Sequence, residues 1–204
     1  MTVRLARQFY ARSANTVARD LLGKLLVSTV DGERVSGLIV ESEAYCDTEK
    51  QDMACHGDRA NQGRPTARTQ VMFGPAGHAY VYLAYGLHWM FNVVTGQEGK
   101  ANAVLVRALH PLDGQEVMSA RRGGRPRGQL TNGPGKLAQA LGINKNHDGL
   151  DLCADSAPVW IEGGPPISDD RISRGPRIGL GDVPEPWFSI PWRYWLRDNA
   201  YVSR

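Results

Sequence analysis

The chain is short of cysteine, of lysine and of long apolar runs, and each shortage removes a class of protein. No apolar stretch approaches the roughly 18 residues that a membrane-spanning helix needs. The start, MTVRLARQFYARSANTVARD, has no apolar run followed by a cleavage site, so no secretory signal is read there. Cys46, Cys55 and Cys153 form no C-x-x-C pair and leave one over. That pattern predicts free thiols in a reducing cytoplasm. The spacing of Cys46, Cys55 and His56 fits no zinc pattern, so no metal is expected. Repeats, low-complexity segments and obvious domain boundaries are missing too. A chain of 204 residues, 42% of them hydrophobic, is expected to form one compact domain over 1–204.

The charges that are present are unevenly placed. Only five of the 24 cations are lysines; the rest are arginines, whose planar guanidinium suits bidentate phosphate contacts. The net charge is a mild +3, yet residues 31–63 hold eight acids against three bases. Residues 107–136 reverse this, with six bases against two acids. Such a split predicts a basic surface beside an acidic site.

Local patterns give an α+β fold: a curved, mainly antiparallel β-sheet flanked by helices. SANTVARDLLGKLL reads as a helix capped by Ser13 and stopped near Gly23. LLVSTV and RVSGLIVESEAY read as strands joined by a turn at Asp31-Gly32. HAYVYLAYGLHWMFNVVTG reads as two strands meeting around Tyr85-Gly86, and NAVLVRAL as a third. PLDGQEVMSARR and GKLAQALGI suggest helices, and PVWIEG, PRIGLG and YVSR short strands or turns. Residues 46–66 lack periodicity, and a loop of that length in a compact domain is usually functional or disordered.

Within this frame IVESEAYCD, residues 39–47, raises a question of chemistry. Side chains alternate along a strand, so Glu41, Glu43 and Tyr45 share one face while Val40, Ser42 and Ala44 share the other. Two carboxylates and a phenol on one face suggest the wall of a cleft; a solvated strand face is the plain alternative. Tyr80 and Tyr82 also share a face, and tyrosines near Arg-rich loops are suited to holding an unstacked base. Structural tyrosines, bonded through their hydroxyls, are the plain alternative there.

ARDLLGKLLV, GLIVESEAY, DMACHG, PTAR, MFGPAGHAYVYLAYGLHWMFNVV, VLVRALHP, NGPGKLAQALGI and RIGL occur in one order. Together they resemble the alkyladenine (3-methyladenine) DNA glycosylase family, as a bacterial member, over nearly the whole chain. The resemblance implies excision of alkylated or deaminated purines from double-stranded DNA, by a monomer without cofactor or metal. It implies that Glu43 is the catalytic carboxylate that activates water, and that Arg107 helps hold that water. Tyr45, His56 and Tyr82 would wall the base pocket, and Asn92 would crowd the C2 edge of the purine. Tyr85 would fill the gap left by the flipped nucleotide, and Arg68, Lys136 and Arg177 would contact the DNA backbone. Glu41 has no catalytic part in this scheme and is left as a partner for an arginine or a solvated edge group. The stretch between Tyr45 and His56 is a couple of residues longer than in vertebrate members, which bears on the placement of His56. Two rival readings are a carbohydrate-active hydrolase using Glu41 and Glu43, and a catalytically silent nucleic-acid-binding module.

Overall fold

The computed structural model describes residues 3–45, 52–59, 63–164 and 166–203, with backbone only at 58 and 59. Helices α1 (Arg7–Tyr10) and α2 (Ala14–Leu21) open the fold. Ser13 Oγ accepts the Thr16 N–H at 3.2 Å and caps α2, as its sequence predicts. Gly23, with φ of 81°, follows its end. Strand β1 (Leu25–Ser28) then passes through a single 3-10 turn, Val30–Gly32, into the long β2 (Val35–Tyr45). A hairpin of β3 (Ala79–Ala84) and β4 (His88–Val94) precedes β5 (Ala103–Pro111). Helix α3 (His56–Arg59) lies between β2 and β3, while α4 (Gln115–Arg121) and α5 (Pro134–Ala140) follow β5. Strands β6 (Val159–Glu162), β7 (Ile172–Gly175) and β8 (Arg193–Leu196) complete one sheet.

Its order is β3-β4-β5-β2-β1-β6, with β8 joined to β2 and to β7, and every strand pairing described is antiparallel. The architecture is α+β, as the sequence pattern implies. Strand β2 is the spine of the sheet. Its small residues Val40, Ser42 and Ala44 are buried, and Ser42 donates to Ala18 O of α2 at 2.7 Å. Close approach of helix to sheet needs those small side chains, and the principal core (Val17, Ala18, Leu21, Val40, Ala44, Val106) forms there.

The opposite face of β2 is also covered, by segments around Ile178 and Ser203 that bond to it. Glu41 and Glu43 are therefore fully buried. A solvated strand face is excluded.

Two features depart from the sequence reading: the shortest elements and one cysteine. Strands β7 and β8 and the one-turn α1 carry too few residues to show a period, and β8 (RYWL) follows directly on Pro191-Trp192. Cys153 is a free thiol, but Cys55 is disulfide-bonded, so the expectation of free thiols fails there. Cys46 lies outside the described residues, as does much of the long loop.

Candidate active site

Strand register assembles the site. Directly paired residues on neighbouring strands project to the same side of a sheet. Tyr80 of β3 pairs with Asn92 of β4, Asn92 with Leu105 of β5, Leu105 with Glu43 of β2, and Glu43 with Arg193 of β8. Residues spread over more than a hundred positions thus form one row on the face away from α2. A β-bulge between Ile39 and Ser42 disturbs the β2–β5 register beside Arg107. Such bulges re-aim side chains near functional sites.

Glu43 has three donors. Ile178 N–H reaches Oε1 at 2.7 Å, while Tyr45 Oη and Arg107 Nη1 reach Oε2 at 2.9 and 3.1 Å. Burial pushes its carboxyl above the ordinary range; Arg107 and the two hydrogen bonds pull it back only in part, and the charge of Glu41 adds to the rise. Arg107 is held fully charged by the two carboxylates, despite the opposing effect of burial. The result is a carboxylate kept more basic than usual, yet bonded firmly in place.

Tyr45, His56, Tyr82 and Asn92 come together around one cavity of about 130 Å³, with Tyr80, Met72, Ala103 and Leu180. His56 reaches its place in this wall despite the lengthened loop. Its ring meets Tyr82 edge-on at 4.7 Å, and Nδ1 lies 3.2 Å from Tyr80 Oη. Asn92 Nδ2 donates to Tyr80 O at 3.0 Å, which ties its side chain to the cavity wall. Burial raises the phenol of Tyr82 to about 12, and those of Tyr45 and Tyr80 further, so all three stay protonated at neutral pH. The cavity suits a single flat heterocycle and is too small for a sugar chain.

Tyr45, His56, Tyr82, Gly179 and Leu180 also line a wider outer groove of about 620 Å³. Arg107, Leu105, Arg68, Pro134 and the β3–β4 turn complete it. Tyr85 stands at the tip of that turn, 82% exposed. With φ of 52° at Tyr85 and 69° at Gly86, and Leu87 N–H donating to Ala84 O, the turn is of type I′. Asn is the favoured residue at the position Tyr85 occupies, and an aromatic side chain there is costly. Hairpin stability does not explain this tyrosine.

The cationic residues divide. Arg68 is exposed, with its guanidinium 5.1 Å above the Tyr82 ring at the groove. Lys136 is half-buried on α5, two residues beyond the groove-lining Pro134, and donates to Asn132 Oδ1 at 2.9 Å. Arg177 is different, and its placement corrects the reading of it as a phosphate contact. Its side chain is fully buried, bound to both Asp52 oxygens at 2.7 and 3.1 Å, to Ala44 O and to Trp187 O. It sits over the rings of Tyr45 (4.7 Å) and Trp192 (5.2 Å), and Asp52 also accepts the Ala54 N–H at 2.9 Å. Arg177 therefore joins the Tyr45 wall to the segment carrying His56, from inside the protein.

Sequence reasoning left out Asp52, Arg193, Ser203 and the backbone N–H of Ile178. Asp52 and Ile178 fall within the DMACHG and RIGL blocks, but their bonds to Arg177 and Glu43 span more than a hundred positions, as do those of Arg193 and Ser203 to Glu41. Tyr80 was the exception with a signal, since its parity with Tyr82 placed it on the same face.

The sequence has known relatives. The family model described as "Methylpurine-DNA glycosylase (MPG)" matches residues 8–200. A Myxococcus xanthus protein named "Putative 3-methyladenine DNA glycosylase" is 46% identical over 200 residues, covering 98% of this chain and 93% of its own length. Proteins of the same name from Carboxydothermus hydrogenoformans (44% over 200 residues) and Desulfitobacterium hafniense (43% over 208) each cover 98% of both chains. The chain is a DNA-repair enzyme of the N-glycosylase class. It belongs to the methylpurine-DNA glycosylase family.

Proposed function

We propose that this glycosylase draws a damaged purine nucleotide out of double-stranded DNA and hydrolyses its N-glycosidic bond with a water activated by Glu43. Its substrates are purines that leave readily or fit the cavity: 3-methyladenine, 7-methylguanine, hypoxanthine and ethenoadenine. The observation that carries this reading is Glu43 itself. It is a buried carboxylate of raised basicity, bonded both to a cavity wall, Tyr45, and to a groove-lining cation, Arg107.

A base inside a duplex is out of reach, so the nucleotide must be flipped and the gap filled. Tyr85 is exposed at the groove edge for that wedge, and Tyr45, His56 and Tyr82 receive the base. A base methylated at N3 or N7 is cationic, so it leaves without a strong general acid, and an electron-rich aromatic wall attracts it. One base-activated water then suffices, where most glycoside hydrolases need two carboxyl groups.

The enzyme is monofunctional in this reading. Strand-cleaving glycosylases attack through an amine. Among the described residues, none of Lys24, Lys100, Lys136 and Lys145 lines the cavity or the groove. The domain spans 1–204 and acts as a monomer. Arg68 and Lys136 serve the DNA backbone, and Asn92 guards the C2 edge.

Duplexes each bearing one lesion, scored for free base and treated with borohydride, test this. Base release without a trapped covalent adduct is expected. A borohydride adduct overturns the water mechanism, and binding without any base release leaves the silent-module reading in its place.

A further inference from the structure

We propose that Glu41 is a positioning residue for the reaction: together with Ser203 it fixes the Arg107 guanidinium in the orientation that serves Glu43 and the attacking water. The proposal rests on the function argued above and goes beyond it, because Glu41 touches neither cavity.

Glu41 is fully buried, and its carboxylate is saturated. Arg107 Nε donates to Oε1 at 3.1 Å, Arg193 Nε at 2.6 Å and Ser203 Oγ at 2.8 Å, while Ser203 N–H reaches Oε2 at 2.7 Å. Arg107 also gives one Nη2 proton to Ser203 Oγ at 3.3 Å and one Nη1 proton to Glu43 at 3.1 Å. A guanidinium has five N–H donors, so these bonds leave about two of them for the groove that Arg107 lines. Glu41 and Ser203 hold one edge of the fork and Glu43 the next. The orientation of the free donors follows from those anchors. A planar donor fork is useful in catalysis only when it is aimed before substrate arrives.

A simpler role for Glu41 would be to neutralise the partly buried Arg193, and the test must separate the two. Glu41→Gln keeps the shape and removes the charge. The Glu41→Gln/Arg193→Gln double variant restores charge balance but not the anchor on Arg107. Under the proposal, Glu41→Gln slows single-turnover excision by about tenfold to a hundredfold, the scale of a misplaced catalytic group, with little change in lesion-DNA binding. The double variant regains melting temperature but not rate. Recovery of rate with melting temperature in the double variant overturns the proposal.

The pH profile gives a second readout that plain loss of packing does not move. The groups facing Glu43 are Arg107 from β5, Tyr82 from β3, Tyr45 and Glu41 on β2, the Ile178 amide, and Arg193, its register partner on β8. Glu41 is among those that raise the Glu43 carboxyl, so its neutralisation shifts the acid limb of excision to lower pH. An unmoved limb counts against the proposal. Should Glu41→Gln not fold, Ser203→Ala removes one anchor more gently. A several-fold loss of rate is expected there, and wild-type rate overturns the proposal. Nitrogen-15 spectra of the free enzyme are independent of excision. The Arg107 Nε–H, which donates to Glu41, should exchange slowly in wild type and rapidly in Glu41→Gln; identical exchange in the two refutes the anchor. Absence of base release by the wild type itself would instead sink the underlying function.

Discussion

The inner row of the sheet and the tip of the β3–β4 hairpin are built on opposite principles. Along the inner row, Glu41, Glu43 and Arg107 lie packed and hydrogen-bonded in the interior, joined by the partly buried Arg193. At the tip, Tyr85 stands exposed on a left-handed backbone. Charges buried in pairs cost desolvation energy and return fixed geometry. An exposed ring on a strained turn costs backbone energy and returns a surface that can enter a partner. Under the proposed function, chemistry belongs to the first region and DNA engagement to the second. Mutations in the row should change rate or fold without changing salt dependence; mutations of the cations near the groove should change salt dependence, and mutations at the tip should change engagement of duplex DNA.

The largest effect on stability is expected at Arg177. Arg177→Met takes from Asp52 a buried counter-ion and should cost about 3–5 kcal/mol of stability, read as a fall in melting temperature. The Asp52→Asn/Arg177→Met pair should recover much of it. Unchanged melting temperature with weakened binding to all DNA would return Arg177 to the DNA surface and erase the boundary drawn here.

Asn92 tests whether the inner cavity selects as well as binds. Guanine differs from adenine and hypoxanthine by an amine at C2, and a misfit there is worth about 1–3 kcal/mol when a polar group loses its partner. Asn92→Ser should speed guanine release from a G·T duplex, with hypoxanthine release unchanged or reduced. A folded variant with no gain on guanine removes Asn92 from that role.

The tip gives a prediction with two signs. Tyr85→Asn supplies a residue that tolerates the left-handed backbone and should add up to about 1 kcal/mol of stability, while excision from duplex DNA falls. A variant that is both more stable and fully active would show that the tip has no part in DNA engagement. The smallest effect is expected at Lys136. Lys136→Ala should lower the salt slope of binding by about one unit on damaged and undamaged duplexes alike. An effect confined to damaged DNA would place Lys136 with the cavity instead.

The regions also differ in how legible they were. Period-2 parity put Glu41, Glu43 and Tyr45 on one face, and Tyr80 with Tyr82, before any coordinates. The hairpin followed from Tyr85-Gly86 between two apolar-alternating runs. Burial was less legible. Whether Glu41 met water or an arginine depended on Ser203 and Arg193, more than 150 positions away. Arg177 was misplaced for the same reason. An arginine is normally a surface residue, and its buried partner Asp52 lies 125 positions earlier with nothing local to mark the pair. Strand β8, four residues long and starting two residues after Pro191, completes the row only because β2 is long enough to pair with it past the end of β1.

The central claim is that Glu43 acts as the base, and the pH dependence of single-turnover excision by wild type and Glu43→Gln tests it most directly. A carboxylate works as a base only when ionised, so the rate should fall as pH drops through the raised Glu43 value. The midpoint should lie above the roughly 4.3 of an ordinary glutamate. Glu43→Gln should lose about a hundredfold or more, keep its lesion-DNA affinity and show no acid limb. A Glu43→Gln variant within a few-fold of wild type, with the acid limb intact, would contradict the account.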